Sequence, residues 1–394
     1  MYPDRLYELA FACRKAKLWK ILTDSEIFAL SLPDGETGYC CVTGLAGEHL
    51  SLALYTGDEG LDNLRILFDL HESEINPLRA QEMMLSQNCL QCSFESRDEL
   101  SPEELSGVRA YARAHGITLR GANAFPQFVR YRASHVPTPA AGDEDVTRLC
   151  ALLEASLAVS EKLRDTPRET LGFLEAPPYD RAVPLLVPSD SGYVWSTRPL
   201  PARQPFTYPE PLWTDEILTV KLKKKKPRGL WLCDVMMLPM PAMDHSEDVA
   251  FPYSLLVVDA DKGEAQSMNA VMDYKEGAGA LLHELAEQML ESGVPEEIQV
   301  VDQRTCCLLK NLAAALQIRL TLQDENELLE GIEAQCLNSF ARHMMFDEDG
   351  PDMLAHEAPS SPEEVLEQLC AMTGVEPDDE DASELLRLIK KMLE

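Results

Sequence analysis

The sequence predicts a two-module protein of the α+β and α/β classes, each module built on a mixed sheet, with an acidic helical tail. Three observations lead there. The length is 394 residues, and at about 100–200 residues per domain it makes two or three domains. Short apolar runs of strand length, separated by turn sequences, cluster near residues 26–55 and again near 217–261. After the second cluster, helical and strand patterns alternate up to residue 340, which implies parallel strands fed by an antiparallel hairpin.

Along the chain, Leu6, Leu9, Ala10, Cys13 and Ala16 recur at helical spacing and predict a helix over 4–20. Strands follow over 26–32, 38–45 and 49–55, the first two joined by the turn Pro33-Asp34-Gly35, so the N-terminal sheet is expected to be an antiparallel meander. A helix comes next, then a strand region over 82–95. A helix then opens at Ser101-Pro102 and ends near Gly116. Residues 122–143 read as a loop and 144–164 as an amphipathic helix. These define an N-terminal α+β domain over 1–175, followed by a proline-rich junction over 176–212.

The C-terminal α/β domain is assigned to 213–340. Its expected elements are strands at 217–223, 230–238 and 253–261, then helix 277–292, strand 297–302, helix 304–316, strand 318–323 and helix 325–340. Thr-Asp followed by strand, turn and strand occurs near both 23–45 and 214–238, so both modules are expected to open with a meander. The tail, 341–394, holds 15 acidic and 4 basic residues and two short helical patterns.

The whole chain has 67 acidic and 35 basic residues, a net charge of −32. Phosphates and anionic membranes would be repelled over most of such a surface, which disfavours nucleic acid and membrane partners and leaves protein as the expected one. The N-terminus lacks a secretory pattern and no run is long enough to span a bilayer, so a cytoplasmic location is expected. The 11 cysteines are then expected as free thiols in cores. Cys89 and Cys92 form one CxxC, half of a zinc site at most, without a second pair to complete it. Adjacent Cys40 and Cys41 would point to opposite faces of a strand and could not chelate one ion.

Two clusters remain as candidates. Asp259 and Asp261 end a strong strand and Asp302 ends the next, where carboxylates could converge and hold Mg²⁺ or Mn²⁺. The competing reading of the same residues is turn formation and helix capping. Lys223, Lys224, Lys225, Lys226 and Arg228 form a basic loop between predicted strands that could contact a polyanion or an acidic partner. No nucleophile elbow, phosphate-binding loop or dinucleotide fingerprint is present.

The phrases GYCCVTGLAGEHLSLALYTGDEGL, SFESRDEL and RGANAFPQF resemble the first half of uncharacterised bacterial proteins built from two adjoining domains of unknown function. WLCDVMMLPMPA, YSLLVVDADKGEA and PEEIQVVDQRTCCLLKNLAAALQIRLTL resemble their second half. After RGANAFPQF such relatives read Pro-Gly-rich, where this chain reads VRYRASHVPTPAA. The resemblance implies two modules and no assigned reaction. The order hairpin, helix, strand, helix, strand, helix also resembles a ribonuclease H-like arrangement, with PEEIQVVD similar to an integrase-core strand.

The lack of a motif with catalytic spacing and the charged surface favour a non-enzymatic protein-binding or adaptor protein without a cofactor. Two alternatives stand beside it. One is a divalent-metal-dependent ribonuclease H-like nuclease or nucleotide-processing module, intact or degenerate. The other is a sensor of a small ligand in the cleft between the modules.

Overall fold

The computed structural model describes residues 2–47, 49–72, 77–243 and 249–333, together with residue 335. The described residues up to Glu333 form one compact unit. The acidic tail and the end of the helix expected over 325–340 lie outside the described residues.

In the first domain, helices α1 (Asp4–Ala16), α2 (Gly57–Glu72), α3 (Pro77–Leu85), α4 (Pro102–Ala114) and α5 (Gly142–Asp165) surround one sheet. Its strands are β1 (Phe28–Ser31), β2 (Thr37–Thr43), β3 (Leu50–Thr56), β4 (Cys89–Glu95), β5 (Phe125–Tyr131), β6 (Thr138–Pro139), β7 (Ala182–Ser189) and β8 (Gly192–Pro199). The order across the sheet is β6-β5-β4-β3-β2-β1-β7-β8, antiparallel except where β1 meets β7. The expected meander is therefore its centre. Strand alternation divides the side chains between two cores. Phe28, Cys40, Cys92 and Phe94 join Leu6, Leu149 and Leu152 from α1 and α5 on one face. Ala29, Cys41, Tyr55 and Cys89 join Leu61 and Leu64 from α2 on the other. Cys40 and Cys41 thus part company, as do the two cysteines of the CxxC.

Three stretches differ from the sequence expectation. Residues 82–95 begin as the end of α3 and only then become β4. The loop expected over 122–143 contains β5, which pairs with β4 along its whole length. The proline-rich stretch is no junction in its middle part: β7 and β8 form a hairpin that extends the first sheet. Pro184 and Pro188 alternate with the residues that bond to β8, so their missing N–H groups cost that ladder nothing; they face β1, whose pairing with β7 is confined to Ala29–Leu185 and Leu30–Leu186.

The second domain runs through α6 (Glu216–Leu222), β9 (Leu230–Met237), β10 (Ala242–Met243), β11 (Val249–Ala250), β12 (Tyr253–Asp259) and β13 (Glu264–Ser267). It continues with α7 (Tyr274–Ser292), β14 (Glu297–Val300), α8 (Gln303–Leu316) and β15 (Arg319–Leu322). The five-stranded sheet has the order β13-β12-β9-β14-β15, with β12 antiparallel and β14 parallel to β9. The strand expected over 217–223 is instead α6. The Asp215 carboxylate accepts the Leu218 N–H as an N-cap, and Leu218 and Leu222, four apart, bury one helical face. The meander is β9, β12 and β13. Trp231, Cys233 and Val235 of β9 pack under α6, α7 and α8, while α3 of the first domain packs against the same strand. The two domains are also joined by main chain: Val136 N–H donates to Val249 C=O at 3.0 Å and Phe251 N–H to Ser134 C=O at 2.7 Å.

Candidate functional site

Strand direction decides which carboxylates meet. Because β12 runs antiparallel to β9, Asp259 lies opposite Trp231 at the start of β9. Val300 of the parallel strand β14 lies opposite Cys233, so Asp302 falls level with the far part of β9. At about 3.3 Å per residue the two positions are roughly 13 Å apart along the strands. The structure therefore does not bring Asp259 and Asp261 to Asp302; only strands running the same way present their carboxyl ends together. Asp259 forms the hairpin turn, accepting the N–H groups of Asp261 and Lys262 and the Lys262 ammonium at 2.6 Å. That ammonium holds its carboxyl below the usual range. Asp261 abuts Gly229, where a Cβ would come within 2.9 Å of the Asp261 carboxylate.

Asp302 does meet a carboxylate, one that the sequence reading left out. Asp234 sits in the middle of β9 and is 1% exposed. Between the two lies Arg79, from α3 of the first domain. Its Nη2 donates to the two Asp234 oxygens at 2.6 and 2.8 Å and to Asp302 Oδ2 at 2.7 Å. Asp302 Oδ1 meanwhile caps α8, accepting the Thr305 N–H at 2.7 Å. A second guanidinium, Arg304, binds Glu82 of α3 and the Val235 carbonyl, and lies 5.4 and 5.7 Å from the ring centres of Tyr253 and Tyr274. Burial pushes the Asp234 carboxyl well above its ordinary range. Arg79 opposes that push, while the charges of Asp302 and Glu333 add to it. Glu333 is buried on the helical segment 327–333.

This donor set does not fit a divalent ion. Such an ion takes about six oxygens, and here the inward oxygens of both aspartates already accept from a cation. Among the described residues no group of three or more His, Cys, Asp or Glu side chains is arranged to hold a metal. One signal for Asp234 was available: a lone charge inside the apolar run LWLCDVMML. Arg79 had none, because its partners lie 155 and 223 residues away.

The basic loop is where the sequence puts it, with Lys223, Lys224, Lys226 and Arg228 exposed and Lys225 half-buried, though it follows a helix and not a strand. None of the five side chains forms an ion pair among the described residues. Separately, a cavity of about 800 Å³ opens between the domains, lined by Ser134, His135, Tyr208, Tyr253, Tyr274 and Lys275. Burial pushes the Tyr253 hydroxyl up to about 12.

Residues 4–175 match the family model described as Domain of unknown function (DUF7309), and residues 218–335 match Domain of unknown function (DUF6930). The chain joins two adjoining domains of unknown function. The DUF7309 match ends before the β7–β8 hairpin, and the DUF6930 match spans the five-stranded sheet. No curated protein matches the chain. Among solved structures it is similar to the HTLV-2 integrase catalytic core domain in complex with magnesium. The trimeric form shows 10% identity, 41% of this chain, 82% of that chain and a TM-score of 0.20. The dimeric form shows 14% identity, 32% of this chain, 78% of that chain and a TM-score of 0.22. Among the described residues no helix is long and apolar enough to cross a membrane.

Proposed function

We propose that the protein is a non-enzymatic binding protein in which the C-terminal α/β module is a rigid platform. The observation that supports this is the Arg79 guanidinium on Asp234 and Asp302. A fixed cation from the neighbouring domain already neutralises the carboxylates that a metal would need, and an incoming ion would meet its charge at close range. The basic loop supplies a docking point. Five cations without an ion pair among the described residues, on a chain with 67 acidic residues, suit a short acidic protein segment. A long nucleic acid would run on into the acidic surface beyond the loop.

The test is calorimetric titration of Mg²⁺ and Mn²⁺ into the full-length protein and its Asp302→Asn variant. The expected result is the same weak signal from both. Saturable binding at micromolar concentration that disappears in the variant would overturn this reading and favour the metal-dependent nuclease or nucleotide-processing alternative.

The cavity favours a second reading, a sensor of a small ligand between the domains. Tyrosine rings backed by the Arg304 cation suit a flat aromatic compound. Thermal-shift measurements with nucleosides and aromatic carboxylates test it. Stabilisation lost in Tyr208→Ala supports a ligand there; no shift with any compound removes this reading.

A further inference from the structure

The eight-stranded sheet ends on a strand whose outer edge is open. Leu200 N–H donates to Arg181 C=O at 2.8 Å, which fixes the phase of the β7–β8 ladder. In an antiparallel pair, bonded and non-bonded positions alternate. Residues 192, 194, 196 and 198 therefore bond to β7, through the pairs Ser189–Gly192, Val187–Val194, Leu185–Ser196 and Val183–Arg198. Tyr193, Trp195 and Thr197 must point their N–H and C=O groups away from β7. Among the described residues no main-chain hydrogen bond reaches any of those groups. Sheet edges are normally blunted by lysine, internal proline, a bulge or short length. The opposite edge, β6, is two residues long and includes Pro139. By contrast β8 has eight residues, an unbroken register with β7, no lysine, and proline only at its last position.

We propose that β8 is an interface for a second copy of this chain, the two β8 strands pairing antiparallel about a two-fold axis at Trp195. The strand is self-complementary in that register. Tyr193 of one copy and Thr197 of the other exchange main-chain bonds, and Trp195 pairs with its own counterpart. Val194 meets Ser196 across the axis. Arg198, the only charged residue on the strand, falls opposite Gly192, so no like charges meet. Such a contact is isologous and closes as a dimer, which leaves the new sheet without a free edge at that end. It also covers Val194, which is 57% exposed, and the outer parts of Tyr193 and Trp195, whose inner parts pack on the core beside α5. A lone peptide could add to the same edge, but it would not require the self-complementary pattern.

Light scattering coupled to size exclusion should give twice the 44.0 kDa chain mass for the full-length protein at tens of micromolar. Thr197→Pro removes one outward N–H on each copy without touching the bonds to β7, and should give the single-chain mass with an unchanged far-ultraviolet spectrum. The double variant Val194→Cys/Ser196→Cys checks the register independently of that fold. Mild oxidation should link residue 194 of one copy to residue 196 of the other, read by peptide mass spectrometry. A wild-type protein that stays at the single-chain mass, a dimer that survives Thr197→Pro, or a dimer without the 194–196 link would each overturn the proposal.

Discussion

The Arg79 side chain, carried by the first domain, donates to both carboxylate oxygens of Asp234, buried in the sheet of the second. Removing either partner leaves a charge that was desolvated for the other. Arg79→Ala and Asp234→Ala should each cost about 3 kcal/mol, the lower end for a broken buried pair, because Arg79 keeps 24% of its side chain exposed. The double variant should lose clearly less than the sum. Denaturant unfolding of the four proteins measures this, and strict additivity would contradict the pairing.

Two glycines of α7 predict opposite signs. A Cβ at Gly277 would sit 2.5 Å from Val271 Cβ, whereas Gly279 has nothing within 4 Å. Gly277→Ala should therefore cost about 1–3 kcal/mol through overpacking. Gly279→Ala should stabilise by up to about 1 kcal/mol through helix propensity. Thermal melts of the two variants, two positions apart, decide the matter.

The Glu297 carboxyl is held below its ordinary value by hydrogen bonds from Gln299 and Thr321 and by Arg319. A depressed carboxyl stabilises the fold above its unfolded value and loses that contribution as pH falls through the folded one. Wild type should exceed Glu297→Gln in unfolding free energy at pH 7, and the difference should shrink below about pH 4.5. A difference that stays constant down to pH 3 would show that the depressed carboxyl is not responsible.

The buried thiols should be inert. Burial raises Cys40, Cys41, Cys89, Cys92 and Cys233 above the ordinary thiol range, and each has little access to solvent. Among the described cysteines, Cys150 and Cys306 are part-exposed and should alkylate first. Timed iodoacetamide labelling with peptide mapping reads the order, and early labelling of Cys89 or Cys92 would contradict the burial.

Much of this fold is legible in the sequence because periodicity is local. The meander of β1 to β3, helix α5 and the alternation from α7 to β15 all follow from spacing and turns. What escaped was decided by partners far along the chain. FPQFVRY is an ordinary-looking loop until β4 lies beside it, and the prolines of β7 suggest irregularity until it is clear which way their missing N–H groups point. ILTVKLK alternates well enough for a strand, and only the Asp215 cap and the buried pair Leu218 and Leu222 make it a helix. At the candidate site, Asp302 was visible at a strand end and Asp234 was visible as a charge out of place. Arg79, which decides what they can do, was visible in neither way.

The clamp also bears on the order in which the chain can mature. During synthesis α3 leaves the ribosome well before β9, so the guanidinium is already in place when the second sheet begins to close over Asp234. The reverse order has no such help. A ribosome product starting after the first domain would shut a bare carboxylate into a dry sheet face, and would have to protonate it or stay open.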